Sequence, residues 1–183
     1  MLKATTVTTE QELIQIHELN LANLKTNLAS TEQKEEGFVT WLYSVLLLQQ
    51  MHQLAPSIII KDQDQVAGYA LTTLRQAAAF HPDLKSMFES IGDILYEGKP
   101  LSNHNFYCMG QICIGKTYRG KGLVNMLYQK HKEVYGKDYD FILTEISTAN
   151  QRSQAAHEKI GFKTIYTHRD AMDEWNVVVW DWN

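Results

Sequence analysis

The sequence predicts a single α/β domain built on a mixed sheet with helices covering its faces. Three observations predict it. The chain has 183 residues, the size of one hydrophobic core with little room for two. Short β-branched or aromatic runs alternate with segments of helical periodicity, with no repeat, linker or low-complexity tract between them. The last two elements read strand, turn, strand, which adds antiparallel pairing to an otherwise alternating order.

Taken in order, Thr5–Thr8 reads as a short strand, and Glu10–Leu28 places Leu13, Ile16, Leu19, Leu21, Leu24 and Leu28 at near-helical spacing. Ser30 or Thr31 caps a second helix running to about Gln53, with Gly37 as its weak point. Pro56 closes the helical region. Ser57–Ile60 and Val66–Thr73 then form a hairpin around the polar turn Lys61–Gln65. Asp83–Leu95 is an inserted helix between Pro82 and the breaker Gly98-Lys99-Pro100. Phe106–Ile114 is a buried strand that runs through a glycine-rich turn into a helix bearing Leu123, Val124, Leu127, Tyr128, His131 and Val134 on one face, with Gly136 as its left-handed stop. Phe141–Ile146 is a strand, Ser153–Ile160 a short helix ended by Gly161, and Phe162–Thr167 and Trp175–Trp182 are the closing strands. The aromatic area of Trp175, Trp180 and Trp182 suits either core packing or a homodimer contact.

Composition narrows the function. Hydrophobic residues make up 44% and charged residues 21%, ordinary globular usage. Lys and Arg total 17 against 21 acidic residues, a formal charge of -4, so there is no electrostatic basis for a nucleic-acid partner. No apolar run reaches the roughly 20 residues of a membrane helix, and Met1–Thr9 has neither the basic segment nor the apolar core of a signal peptide. No membrane partner and a cytoplasmic location are expected. Cys108 and Cys113 lie in one apolar stretch, too far apart along a strand to bridge, and no histidine stands at metal-ligand spacing from them. Neither a disulfide nor a metal site is expected.

The segment with the most chemistry is Gly115-Lys116-Thr117-Tyr118-Arg119-Gly120-Lys121-Gly122. A strand leading through glycines into a helix presents unpaired backbone N–H groups and a positive dipole end, a setting for phosphate or pyrophosphate. Gly115–Lys121 also satisfies the first seven positions of the nucleotide P-loop G-x-x-x-x-G-K, but Gly122 stands where that loop needs a magnesium-binding Ser or Thr.

Two motifs resemble the GNAT superfamily of N-acetyltransferases. Arg119, Gly120, Lys121, Gly122 and Leu123 match the first five positions of its acyl-CoA loop, Q/R-x-x-G-x-G/A, with Val124 departing at the sixth. Asn150, Ser153 and Glu158-Lys159-Ile160-Gly161-Phe162 follow its N-x-x-A/S-x-x-x-Y-E-K-x-G-F pattern, with His157 in place of the tyrosine. The resemblance implies one domain over residues 1–183, a mostly antiparallel central sheet flanked by helices, and acyl-CoA in a cleft between splayed central strands. It implies transfer of acetyl from acetyl-CoA to a primary amine, on a small molecule or a peptide, by direct attack in a ternary complex.

Residue by residue, the resemblance assigns Ile112 and Ile114 main-chain contacts to the pantetheine arm, with the Ile114 N–H as oxyanion donor. It assigns cofactor binding to Arg119, Gly120, Lys121, Gly122, Leu123, Asn150, Ser153 and His157. Glu145, a carboxylate in an apolar strand, takes the general base's place, and His157 that of the acid acting on the CoA sulfur. The plainer readings are a solvent-facing glutamate on an alternating strand and a structural helical histidine. Glu35–Trp41, the helix at 83–95 and the turn Arg169–Glu174 are the candidate acceptor contacts. A non-catalytic CoA-binding module and a P-loop nucleotide-binding protein are the alternatives.

Overall fold

The computed structural model describes residues 1–182. Along the chain it runs β1 (Leu2–Thr6), α1 (Glu10–Ala22), α2 (Ser30–Glu36), α3 (Val45–Leu54), β2 (Ile58–Asp62), β3 (Gln65–Thr73), α4 (Pro82–Gly92), the short β4 (Leu95–Tyr96) and β5 (Lys99–Pro100), β6 (Phe106–Ile114), α5 (Leu123–Tyr135), β7 (Phe141–Ser147), α6 (Gln151–Ile160), β8 (Lys163–Arg169) and β9 (Glu174–Asp181). Among the described residues, seven strands form one sheet in the order β1–β2–β3–β6–β7–β9–β8. Its pairs are antiparallel except β6–β7. The expected mixed, mostly antiparallel sheet is what the chain builds.

Side-chain alternation sorts the helices onto two faces. On β7, Ile142 and Ile146 pack with Leu123, Leu127 and Tyr128 of α5, while Phe141 and Leu143 pack with Ile91 of α4. Leu13 and Ile16 of α1 and Leu47 and Leu48 of α3 cover Tyr69, Leu71 and Cys113 on the α4 face. Each such side chain, fully buried, contributes roughly 2 kcal/mol of hydrophobic free energy. α1 begins at a capping box, in which Thr9 Oγ1 accepts from the Glu12 N–H and the Glu12 carboxylate accepts from the Thr9 N–H.

Two irregularities of β6 open the sheet at its centre. Its register against β3 slips between Ala70↔Ile112 and Thr72↔Met109, so that Gly110 and Gln111 bulge. Its pairing with β7 covers only Phe106↔Phe141, Tyr107↔Ile142 and Cys108↔Leu143. Beyond those three pairs the central strands part.

Several boundaries differ from the sequence expectation, each for a local reason. The helix expected from Ser30 to Gln53 is two helices, because Gly37 takes φ +78° after α2 and Ser44 caps α3 through the Leu47 N–H. Residues 37–44 form a strap across the sheet, tied down by Asn20. That side chain donates to the Trp41 carbonyl and accepts from the Tyr43 N–H, while Gln111 at the bulge donates to the same Trp41 carbonyl. The first helix stops at Ala22, with Lys25–Asn27 in a 3₁₀ turn. Thr8 and Thr9 belong to the α1 cap rather than to β1. Gly136 is right-handed (φ -68°), not left-handed; a Cβ there would stand 2.5 Å from the Lys132 carbonyl oxygen, so the residue serves close approach. Gly98 is the turn of the β4–β5 hairpin, with Glu97 at φ +49° and Gly98 at φ +81°. Trp175 is buried, and Trp180 and Trp182 pack against the core.

Because Asn20 is fully buried and the Tyr43 N–H depends on it, Asn20→Ala should lower stability by roughly 2–3 kcal/mol in urea unfolding. A loss under about 0.5 kcal/mol would mean that the strap is not anchored this way.

Candidate active site

Where β6 and β7 part, a cleft of about 770 Å³ opens on the α5 face. Its floor is Ile112–Ile114, one wall is the loop and first turn from Tyr118 to Asn125, the other is α6, and α2 with residues 37–39 roofs it. The Gly115 N–H donates to Ala67 on β3, so by alternation the main-chain groups of Ile114 and Ile112 turn away from β3 toward the gap.

At the N-terminus of α5 no side chain caps the helix. Gly120 and Gly122 both hold φ +75°, and a Cβ on either would meet no atom within 4 Å. The glycines therefore serve a left-handed turn that leaves the first N–H groups of α5 open, with the positive end of the helix dipole behind them. Such a site takes a diphosphate. Around it Lys34, Arg152 and Lys159 line the cleft, along with Glu35 and Glu36.

Of the residues singled out from the sequence, Ile112, Ile114, Arg119, Gly120, Gly122, Leu123, Asn150, Ser153 and His157 line this one cleft. Lys121 does not, since its ammonium turns to the Thr117 carbonyl and the Tyr118 ring. Arg119 spends its charge on the fold rather than at the rim. Its Nε donates to the Ile114 carbonyl, one terminal nitrogen pairs with Glu36 at 2.9 Å, and the other donates to Asn23 Oδ1 at 2.6 Å. It thereby pins α2 over the cleft, and the guanidinium holds the Glu36 carboxyl below its usual range. Asn150 caps α6 by accepting from the Ser153 N–H, and its amide donates to the Phe38 carbonyl of the strap.

His157 is buried, 2% exposed, with both ring nitrogens engaged. Nδ1 lies 2.7 Å from the Ser153 carbonyl, which can only accept, so Nδ1 carries the proton. Nε2 is then the bare nitrogen and accepts from the Tyr128 hydroxyl at 2.6 Å. Burial pushes the imidazole down to about 4 and raises Tyr128 well above its usual value. At neutral pH this histidine has no proton on Nε2 to give.

Glu145 lies outside the cleft lining. By alternation with Ile146 it faces α4, next to Leu143, the last β7 residue paired with β6, and so stands at the edge of the opening. Two positions beyond Cys108↔Leu143, the parted strands carry Gly110 and Glu145. Its Oε1 lies 2.6 Å from His168 Nε2. Burial raises the carboxyl above its usual range, and the His168 hydrogen bond opposes that rise. Nothing in the sequence pointed to His168, and Tyr128 was legible only as part of an apolar helix face, since the contact that matters at each is with a partner distant in the chain.

The fold has counterparts among known proteins. A profile of the Acetyltransferase (GNAT) family matches residues 25–162. The chain belongs to that family. Its fold is similar to that of the ribosomal-protein-S18-alanine N-acetyltransferase from Escherichia coli, at 11% identity and TM-score 0.62, over 99% of this chain and 94% of that one. It is similar to a chain of the NatC complex bound to Gag peptide and CoA, at 13% identity and TM-score 0.66, over 100% and 99%. A GNAT-family acetyltransferase from Streptococcus agalactiae gives 18% identity and TM-score 0.66, over 100% and 96%. No curated protein sequence matches the chain. The nucleotide P-loop alternative does not survive the family assignment: Lys116–Tyr118 is a 3₁₀ turn, and Gly122 has no hydroxyl for magnesium.

Burial of His157 and His131, the latter pushed down to about 3, makes the stability of this GNAT chain depend on pH between about 7 and 5, above the range in which the paired carboxylates Glu12, Glu36, Asp170 and Asp173 titrate. An unfolded chain protonates both near 6.5, so the unfolded state takes up protons first as pH falls. Stability is full above that value and declines from about 6.5 toward 4 and 3 respectively, by about 1.4 kcal/mol per unit per residue. The urea midpoint should fall between pH 7 and pH 5, and less steeply in His157→Phe; equal slopes would contradict a neutral buried imidazole.

Proposed function

We propose that residues 1–183 form one acetyl-CoA-dependent N-acetyltransferase domain that acetylates a primary amine by direct attack in a complex of both substrates. The observation that carries this reading is the opening of two sets of main-chain donors, the uncapped start of α5 and the free edge of β6, into one cleft. A cytoplasmic setting, where acetyl-CoA is made available, goes with the proposal.

The residues fit the cosubstrate. The main chain of Gly120–Leu123 and the N–H groups of the first turn of α5 suit its diphosphate, with charge from Lys34, Arg152 and Lys159. Ile112 and the N–H of Ile114 offer a strand edge to an extended pantetheine arm, the Ile114 carbonyl being taken by Arg119, and Leu123, Asn150, Ser153 and His157 complete the walls. Arg119 acts indirectly, through the roof it pins. Bound acetyl-CoA supplies the activated acetyl thioester. The Ile114 N–H is the donor assigned to the thioester oxygen, a main-chain contribution that no side-chain replacement removes.

Glu145 takes the proton of the attacking amine. Its burial brings the carboxyl closer to the pH at which a base exchanges protons, and its place beside the parting of β6 and β7 sets it at the edge of the opening. His157 serves as a neutral wall of the cofactor cleft rather than as the acid, because its Nε2 already accepts from Tyr128. For the acceptor, the strap and the turn after β8 are candidate contacts, linked by Lys25, which pairs with Asp173 and lies over the Phe38 ring. One similar fold is an N-acetyltransferase for an alanine of ribosomal protein S18 and another comes from a complex bound to a Gag peptide, so peptide amines belong among the acceptors tried.

The test is thiol release from acetyl-CoA across a panel of polyamines, amino acids and N-terminal peptides. At least one amine should release thiol, and Glu145→Gln should slow it by about 10²–10⁴-fold on the plateau of the pH profile and abolish its acid limb. CoA binding with no acceptor-dependent release would mark a binding module instead, and an unchanged pH profile in Glu145→Gln would remove that residue from the chemistry. His157→Phe and His157→Tyr should lose comparable activity; selective rescue by tyrosine would restore the acid role to position 157.

A further inference from the structure

Glu145 is held by a group on another strand. His168 of β8 and Glu145 of β7 reach each other over β9, where Glu145 is paired with the fully buried Val177. Their side chains are 23% and 16% exposed, and Nε2 stands 2.6 Å from Oε1. A carboxylate only accepts, so Nε2 is the donor. Glu145 Oε2 makes no hydrogen bond among the described residues.

The other ionisable groups nearby do not replace this contact. Asp170, beyond His168 in the chain, acts on Glu145 as a like charge. Cys108 on β6 is a buried thiol that burial and the Glu145 charge both push up, with Arg75 opposing. Farther along β7, Ser147 donates to Asp173, whose charge is paired with Lys25. Tyr166 lies beside His168 with ring centroids 6.2 Å apart.

We propose that His168 is a positioning residue for the transfer: by donating Nε2–H to Oε1 it fixes the carboxylate and leaves Oε2 as the oxygen that takes the amine's proton. An N–H bond of the ammonium breaks and an O–H bond forms at Oε2; the freed nitrogen pair forms the C–N bond to the thioester carbon, the C–S bond breaks with its electron pair going to sulfur, and the second proton of the nitrogen ends on that sulfur, which leaves as the free thiol. The inference rests on the reading of Glu145 as the base. The electrostatics agree in sign, since burial raises the carboxyl and the His168 hydrogen bond lowers it. Loss of the donor therefore moves the carboxyl titration upward.

The experiment pairs two readouts on the full chain. Glutamate ¹³C-carboxyl NMR follows the Glu145 titration, assigned by its disappearance in Glu145→Gln, and kcat/KM against pH is taken with the amine that releases thiol fastest in the acceptor panel. In His168→Phe both the carboxyl titration and the acid limb should move up by about one pH unit, a roughly tenfold loss below the limb with the high-pH plateau kept. His168→Gln, which retains an N–H donor, should return both toward the original values. A carboxyl that does not move in His168→Phe, a moved carboxyl with an unmoved limb, or equal displacement in both variants overturns the role of His168. Unchanged rate and limb in Glu145→Gln, or thiol release from no amine, instead removes the base on which it depends.

Discussion

The structure depends on a two-residue bulge. Gly110 and Gln111 break the register of β6 against β3, and β6 parts from β7 after three pairs. A fully paired sheet would use every main-chain donor of β6 internally. The parted one leaves the N–H groups of Ile112 and Ile114 turned to the gap and places them beside the uncapped start of α5. Two sets of polar groups that a folded chain normally satisfies within itself are thus left facing one space, which the fold can sustain only because that space is reached by solvent or ligand.

Around this opening the fold satisfies its polar groups by long-range contacts. Asn20 on α1 and Gln111 at the bulge converge on the Trp41 carbonyl, so the element that makes the bulge also anchors the strap above it. Tyr69, fully buried, donates to Gln111 from below. Arg119 ties the loop before α5 to α2 and Asn23, and Asn150 ties the start of α6 to Phe38. Roof, strap and walls are therefore coupled to the loops that face the cleft. The charge that a sequence reading aims at a phosphate is, at Arg119, spent on holding the roof.

What was legible in the sequence is what local chemistry decides. Gly120 and Gly122 are needed for positive φ within one turn, Asn150 caps the helix it precedes, and the alternation of Phe141–Ile146 sets a strand. The same locality explains the errors. Residues 37–44 carry apolar side chains at helical spacing, but Val39 pairs with Leu24 and the backbone is claimed by Asn20, contacts that no window of neighbouring residues contains. Gly136 looked like a left-handed stop because of its type and place, and only the approach of the Lys132 carbonyl shows why glycine stands there. In the site, Glu145 and His157 were found by spacing, whereas His168 and Tyr128, which hydrogen-bond them, lie on other elements.

The central claim, that the free edge of β6 and the first turn of α5 together grip coenzyme A, is tested most directly by titrating CoA into ¹⁵N-labelled protein and tracking backbone amides. The account predicts that the amides of Ile112, Ile114, Gly120, Gly122 and the residues from Leu123 to Asn125 shift together along one binding curve. Heat or shifts confined to other parts of the chain, with these amides unmoved, would contradict it.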